Sequence, residues 1–266
     1  MVPMVDDPLV LPAARLMLGR AGIPWGKVCL VVESGSSAHG LSSGASDVDL
    51  TVVWTEDLRD LVTGAKDSAK GSRVIRTQPD GVRSGPGDID IQVHTMRKFM
   101  SLAAAGNPSV LSVLFTSPEF RLHGNGFPMG QLVDLVVSRR AGAAYLGYLD
   151  SQLKRWRDGT ISQRASRPEL IAEHLYDTKF AAHAIRLAIQ GQEYLLTGRV
   201  TLPIPEPTAQ KLRDVRAGLV PEAEALVWCE QEREHLIAAR DASQLPKHPD
   251  MAALDDFLVQ WHKNRL

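Results

Sequence analysis

Residues 33–53 read ESGSSAHGLSSGASDVDLTVV, a loop of small residues that runs into two aspartates one residue apart and then into an apolar run. Successive side chains of a strand point to opposite faces. If DVDLTVVW, residues 47–54, is a strand, Asp47 and Asp49 therefore present their carboxylates side by side. Two like charges on one face repel unless something offsets them. A divalent cation does so, since Mg²⁺ is a hard ion that takes one or two carboxylates together with phosphate oxygens and waters. The loop ahead of the pair suits the phosphates: Gly35 lets backbone N–H groups approach an anion closely, and the hydroxyl of Ser36 can join them. Metal beside a triphosphate is the chemistry of nucleotidyl or phosphoryl transfer, and a two-metal site ordinarily wants a third carboxylate. DIDIQVH, residues 88–94, offers Asp90 or Asp88, which share a face if that segment is a strand.

Other readings of the stretch are weaker. A lone D-x-D is most often a turn or a cap, because Asp side chains bond nearby backbone. The loop is not a Walker A, since no GK[ST] follows its glycines. It is not a G-x-S-x-G elbow either, because His39 stands where Ser37 would need its second glycine. What lifts this D-x-D is its place after a strand and a Gly-Ser loop, with another acidic strand downstream.

The 266 residues suffice for one large or two modest domains. Lys and Arg number 30 against 31 Asp and Glu, a net charge of −1, which excludes a histone-like mode of nucleic-acid binding and leaves room for a local basic patch. The two cysteines, Cys29 and Cys229, form no C-x-x-C. Cys29 within VCLVV reads as a small buried hydrophobe, and sparse cysteine points to reduced thiols inside a cell. No apolar run reaches the roughly 18 residues of a membrane span, and MVPMVDDPLVLP is acidic where a signal peptide is basic. The expectation is a soluble cytoplasmic protein with no membrane partner.

Residues 12–22 read as a short helix closed by glycine, and 27–33 (KVCLVVE), 47–54, 72–78 (SRVIRTQ) and 88–94 as strands, the last two separated by the turn-rich PDGVRSGPG. From about residue 130 strand patterns nearly vanish. LGYLDSQLKRW, PELIAEHLYDTKFAAHAIRLAIQ, AEALVWCEQEREHLIAAR and AALDDFLVQWHK all show helical spacing, and PIPEP (203–207) reads as a turn between helices.

Taken together, Gly35-Ser36, His39-Gly40 and Ser46-Asp47-Val48-Asp49 resemble the DNA polymerase β-like nucleotidyltransferase superfamily. Within it, the chain resembles a branch of predicted nucleotidyltransferases of bacteria and their phages, related to an RNA-repair-associated polymerase-like family. That branch carries a third Asp strand followed by RKF and GNP segments, seen here as Asp90, Arg97-Lys98-Phe99 and Gly106-Asn107-Pro108. The spacing from acid to RKF favours Asp90 over Asp88 as the third ligand. A D-T-K-x-x-x-H-x-x-R-L segment matches as Asp177, Thr178, Lys179, His183, Arg186 and Leu187, so the likeness spans roughly residues 28–240. One departure stands out: many members place a basic residue directly after G-S, where this chain has Ser37.

The resemblance implies an α/β nucleotidyltransferase domain, a small mixed sheet with flanking helices, over residues 1–125. An all-α domain over residues 126–266 would form the other wall of the cleft. It implies two Mg²⁺ ions, with Mn²⁺ as substitute, held by Asp47, Asp49 and Asp90, and Asp90 would also take a proton from the acceptor. Gly35 and Ser36 would cradle the triphosphate.

On one helix from Pro168 to Gln190, capped by Ser166-x-x-Glu169 and stopped by Gly191, the residues Ile171, Leu175, Thr178, Ala182, Ile185 and Ile189 form an apolar stripe. Tyr176, Lys179, His183, Arg186 and Gln190 form an adjoining polar lane, in which Lys179 and Arg186 suit phosphate. The competing reading of that lane is a solvated face. KRWR (154–157) and the HKNRL tail read as solvated basic faces, and Lys98 and Asn107 as site residues by resemblance; for Arg73 and Arg76, near the third strand, a place as cleft cations is the minority reading. The expected reaction is transfer of NMP from an NTP to an acceptor hydroxyl with pyrophosphate release. The acceptor is an RNA or tRNA 3′ end, with a small molecule or a protein (a toxin's target) as alternatives. A non-catalytic NTP- or nucleic-acid-binding module is the reading from another class, in a bacterial or phage-infected cell throughout.

Overall fold

Alternation of apolar and polar residues builds the sheet as expected and sorts its two faces. A computed structural model describes residues 7–42, 47–63, 71–161 and 167–265; Ser46 of the S-D-x-D pattern and Ser166 of the capping box lie outside them. Five strands, β1 (Val28–Glu33), β2 (Val48–Trp54), β3 (Ser72–Arg76), β4 (Ile89–Thr95) and β5 (Arg121–His123), form one sheet in the order β3-β4-β2-β1-β5. β2 and β4 pair parallel and the other neighbours antiparallel, so the sheet is mixed. Val48, Leu50 and Val52 of β2 and Ile89, Ile91 and Val93 of β4 share a face, which packs on Val10, Ala14 and Leu18 of helix α1 (Val10–Arg20). The odd-numbered partners in β2, and the even-numbered ones in β4, emerge on the other face.

The remaining helices are α2 (Gly35–Ala38, a single turn), α3 (Leu58–Thr63), α4 (Met96–Ala104), α5 (Pro108–Leu114), α6 (Met129–Val136), α7 (Ala141–Ile161), α8 (Pro168–His174), α9 (Thr178–Thr197), α10 (Thr208–Arg216), α11 (Glu222–Ala242) and α12 (Met251–Lys263). The chain divides into two compact units: Met1–Ala104 with Val110–Val136 and Asp250–Leu266, and Ala105–Ser109 with Val137–Pro249. This differs from the division expected at 125/126 at both ends of the helical region. α6 belongs with the sheet, and so does the last helix of the chain.

Side chains explain why α12 joins the first unit. The Trp261 indole N–H donates to Thr55 Oγ1 at 2.9 Å, Phe127 meets the Trp261 ring edge-on at 5.7 Å, and His262 Nε2 lies 3.5 Å from Glu56 Oε2. The Glu56 side chain is fully covered and that of His262 is 11% exposed. Burial pushes Glu56 up, but His262 and neighbouring donors outweigh it and hold the carboxyl below its ordinary 4.5. The bond to Glu56 raises His262 above its ordinary 6.5 against burial and the nearby Arg97. Glu56 therefore stabilises fully above pH 4.5 and loses its contribution as pH falls through its lowered folded value. His262 stabilises fully below pH 6.5 and loses its contribution as pH rises through its raised folded value. Both act together between pH 4.5 and 6.5. Removing one partner of a buried pair costs about 3 kcal/mol, so His262→Ala should lower the thermal midpoint most inside that window, the gap to wild type narrowing on either side.

The second unit rests on α7, α9 and α11, which pack on one another. Tyr145 and Tyr194 stack at 5.9 Å, and Gly191 marks the closest approach: a Cβ there would stand 2.8 Å from Leu236 and 2.9 Å from Tyr145. Gly191 is thus a packing point in mid-helix rather than a stop. α9 runs on to Thr197 and ends at Gly198 in the left-handed conformation. The single helix expected from 168 to 190 is two, α8 and α9, broken at Leu175, whose φ is 73°. Asp177 causes the break. Its carboxylate accepts the N–H groups of Lys179 and Phe180 as the N-cap of α9, a bond a continuous helix could not make. The two segments therefore do not share one apolar stripe, and Leu175 is exposed while Thr178, Ala182 and Ile185 are buried. With Arg167 paired to it at 3.2 Å and its side chain 1% exposed, Asp177→Ala should cost about 2 kcal/mol in chemical denaturation.

Candidate active site

Parallel pairing of β2 with β4 sets Asp49 directly beside Asp90. Ligand oxygens of Asp47, Asp49 and Asp90 all lie within 4.8 Å of one another, each residue half-buried. Here the structure chooses between the two downstream acids. Asp90 joins Asp49 of β2 and Asp47 just ahead of that strand, whereas the Asp88 carboxylate turns into the connection between β3 and β4. There it accepts from Thr77 Oγ1 (2.9 Å), Gln78 Nε2 (3.0 Å) and the Gly85 N–H (2.9 Å), and these bonds, the backbone one foremost, hold it below the ordinary carboxylate pKa.

The Gly-Ser segment meets the trio from the other side. The Ser34 N–H donates to the Asp49 carbonyl at 2.8 Å, and the chain then turns through Gly35 with φ at +62°. A Cβ on Gly35 would stand 2.7 Å from Asp49 Cγ and overlap its Oδ2. Glycine is therefore required twice, for the backbone conformation and for the closeness of the carboxylate. Ser36 is half-buried, while Ser37, the residue after the Gly-Ser pair, is buried at 8% exposure.

Three carboxylates so close repel strongly without a cation. An all-oxygen set of Asp carboxylates is the donor chemistry that Mg²⁺ or Mn²⁺ takes, so these residues fit a divalent metal. Across residues 20–260 the chain matches the family described as the RNA repair pathway DNA polymerase beta family, RlaP. The chain belongs to that family. Divalent metal use is general in such nucleotidyltransferases, and the acidic trio is where this RlaP-family chain has the groups for it.

The chain is 24% identical to an uncharacterized 38.9 kDa protein of the nrdC-mobD intergenic region of enterobacteria phage T4, over 55% of this chain and 52% of that one. It thus spans about half the length of that curated relative. A nucleotidyltransferase-like protein from Exiguobacterium sibiricum aligns over 87% of this chain and 74% of its own at 10% identity, with a TM-score of 0.30. Among the described residues, no helix is long and apolar enough to cross a membrane.

The other expected site residues fall into two groups. Lys98, in the RlaP-family chain's first unit, stands in the opening turn of α4, its N–H donating to Thr95 Oγ1 at 3.2 Å. Asn107, in the second unit, caps α5: its Oδ1 accepts the Ser109 N–H at 3.1 Å and its Nδ2 donates to the Tyr148 hydroxyl at 2.6 Å.

The lane on α9 is also in the second unit. Lys179 is exposed, His183 and Arg186 are half-buried, and Arg186 donates to the buried Gln190 at 2.6 Å. Burial, with Arg186, Arg167 and Arg155 converging, pushes His183 down to about 3, so its imidazole is neutral at pH 7. Burial lowers Arg186 to about 10, which leaves it charged. Tyr176 lies before the helix rather than in the lane. It is buried, donates its hydroxyl to the Val220 carbonyl at 2.7 Å, and is pushed up to about 12 by burial and Glu222. Asp177 serves as the cap of α9.

Arg73 donates to the Ala21 carbonyl at 2.5 Å, while Arg76 pairs with Asp90. Reading by periodicity missed Ser84, which donates to Asp90 Oδ1 at 2.6 Å. Nothing in PDGVRSGPG marks that serine apart from its place six residues before the acid.

Proposed function

We propose that the protein transfers NMP from an NTP to an acceptor hydroxyl with release of pyrophosphate, the acceptor being an RNA or tRNA 3′ end. The observation that carries this reading is the convergence of Asp47, Asp49 and Asp90 against the Gly35 turn. Membership of a family described by RNA repair supports the acceptor, and the phage relative supports action in a bacterial or phage-infected cell.

In this reading Asp47, Asp49 and Asp90 would hold the divalent ions. Mg²⁺, when bound, supplies charge to offset the triphosphate and lowers the pKa of the acceptor hydroxyl. The acceptor oxygen bonds to the α-phosphorus, the α–β phosphoanhydride breaks with its electron pair leaving on pyrophosphate, and Asp90 takes the hydroxyl proton. Gly35 and Ser36 fix the leaving phosphates in line by backbone N–H and hydroxyl donors. Lys179, His183 and Arg186 bind phosphate groups of nucleotide or acceptor: Arg as a fork, Lys as a point charge, and the neutral His as a donor of one hydrogen bond.

The test is incubation with each α-labelled NTP, Mg²⁺ or Mn²⁺, and RNA, total protein or small metabolites in separate arms. Label in the RNA 3′ end is the expected result. Label in protein or metabolite moves the acceptor. No transfer, with no pyrophosphate released, replaces the enzyme with a binding module.

A further inference from the structure

We propose that Ser84 and Arg76 are positioning residues for Asp90, a role that rests on reading the carboxylate trio as a cation site. Both oxygens of Asp90 are held, each by a different segment. Oδ1 accepts from Ser84 Oγ at 2.6 Å and Oδ2 from Arg76 Nε at 3.2 Å, with the Asp90 side chain 19% exposed. Strand register makes this arrangement systematic: β3 places Arg76 opposite Asp90 on one side, and β2 places Asp49 opposite it on the other. Arg76, Asp90 and Asp49 therefore form a row across three adjacent strands.

Ser84 arrives by a longer route. It lies in the 77–88 connection, and that connection is stapled from within by Asp88. One carboxylate gathers Thr77, Gln78 and the N–H of Gly85, the residue after Ser84, while the Asp88 N–H returns to the Gly85 carbonyl at 3.0 Å. The Thr77 hydroxyl, which donates to Asp88, also accepts the Ile89 N–H at 3.1 Å, tying the loop to the start of β4. The first acid of DID, Asp88, thus aims the serine that orients the second, Asp90, the third carboxylate of the site.

A carboxylate has about four lone-pair positions, so one donor on each oxygen fixes its rotation and leaves acceptor capacity on both. Outer partners of this kind ordinarily govern metal affinity by 10–100-fold.

The test reads Mn²⁺ binding directly by electron paramagnetic resonance, without turnover, alongside kcat and KM. Ser84→Ala should lose about 10–100-fold in Mn²⁺ affinity with an unchanged thermal midpoint in metal-free buffer, and Ser84→Thr should recover most of it. Its kcat should fall while KM for the NTP holds. Arg76→Met separates positioning from charge. Removing a positive group beside a cation site tightens cation binding on Coulombic grounds alone, so weaker binding marks a positioning role. Mn²⁺ affinity equal to wild type in Ser84→Ala, or tighter in Arg76→Met, overturns the proposal and leaves nucleotidyl transfer standing. Wild type that binds Mn²⁺ but transfers no label overturns the transfer reading and leaves the positioning result intact.

Discussion

Asp90→Asn should lower turnover by about 10³-fold or more while sparing most NTP binding. The substitution removes a proton acceptor and one ligand charge but keeps the shape of the side chain, and Asp47 and Asp49 remain to hold the nucleotide's metal. Steady-state kinetics alongside equilibrium nucleotide binding separates the two effects. The informative comparison is Asp88→Asn, two residues away and the same chemical change. Because the Asp88 carboxylate faces Thr77, Gln78 and Gly85 rather than the trio, its loss should loosen the connection and cost turnover only about 10-fold, through Ser84. Substantial activity in Asp90→Asn, or equal losses in the two variants, would remove Asp90 from its assigned role.

Gly35→Ala is the second large effect expected, and it needs no change of charge. A residue with a Cβ at φ +62° is strained by about 1–2 kcal/mol, and the new atom would overlap the Asp49 carboxylate. Displacing a catalytic group by an ångström can cost 10²-fold, so kcat/KM should drop by about that factor or more with modest loss of stability. Ser36→Ala, which adds no atoms, should be milder. If the glycine acts through Asp49, the double variant Gly35→Ala, Asp49→Asn should be scarcely worse than Asp49→Asn alone, since effects on one group do not add. Full additivity would sink that explanation.

The parts of this molecule that were legible in the sequence are those written in local periodicity. Strands β1 to β4 follow from Val- and Ile-rich runs with a period of two, whereas that period left Asp88 and Asp90 both open and only the resemblance favoured Asp90. β5 was missed because three residues, Arg121–His123, carry no alternation to read. The break between α8 and α9 was missed because helical spacing on both sides let one wheel run through it, whereas the capping bonds of Asp177 win locally. Gly191 misled for the opposite reason: a glycine read as a helix stop is retained for the closeness of Tyr145 and Leu236. Ser84 had no local signature, since its meaning lies in what Asp88 does to the loop around it. The fold of α12 was legible but its docking was not, because amphipathic spacing says that a helix has a face and nothing of which core receives it.

That docking has a consequence for how the chain is made. The cover over Thr55, Glu56 and Phe127 is supplied by Trp261 and His262, about two hundred residues beyond Thr55. Between them in the chain comes most of the second unit, Val137–Pro249, whose helices α7, α9 and α11 pack on one another. During synthesis from the N-terminus the sheet-bearing unit therefore emerges first and is completed last, waiting with an apolar surface open while its neighbour folds. Truncation before Asp250 would keep every residue of the carboxylate trio and still leave this unit without its lid of aromatic side chains, prone to aggregate. A chain cut there would be a poor proxy for the catalytic unit, even though all the chemistry assigned to it lies within the first 90 residues.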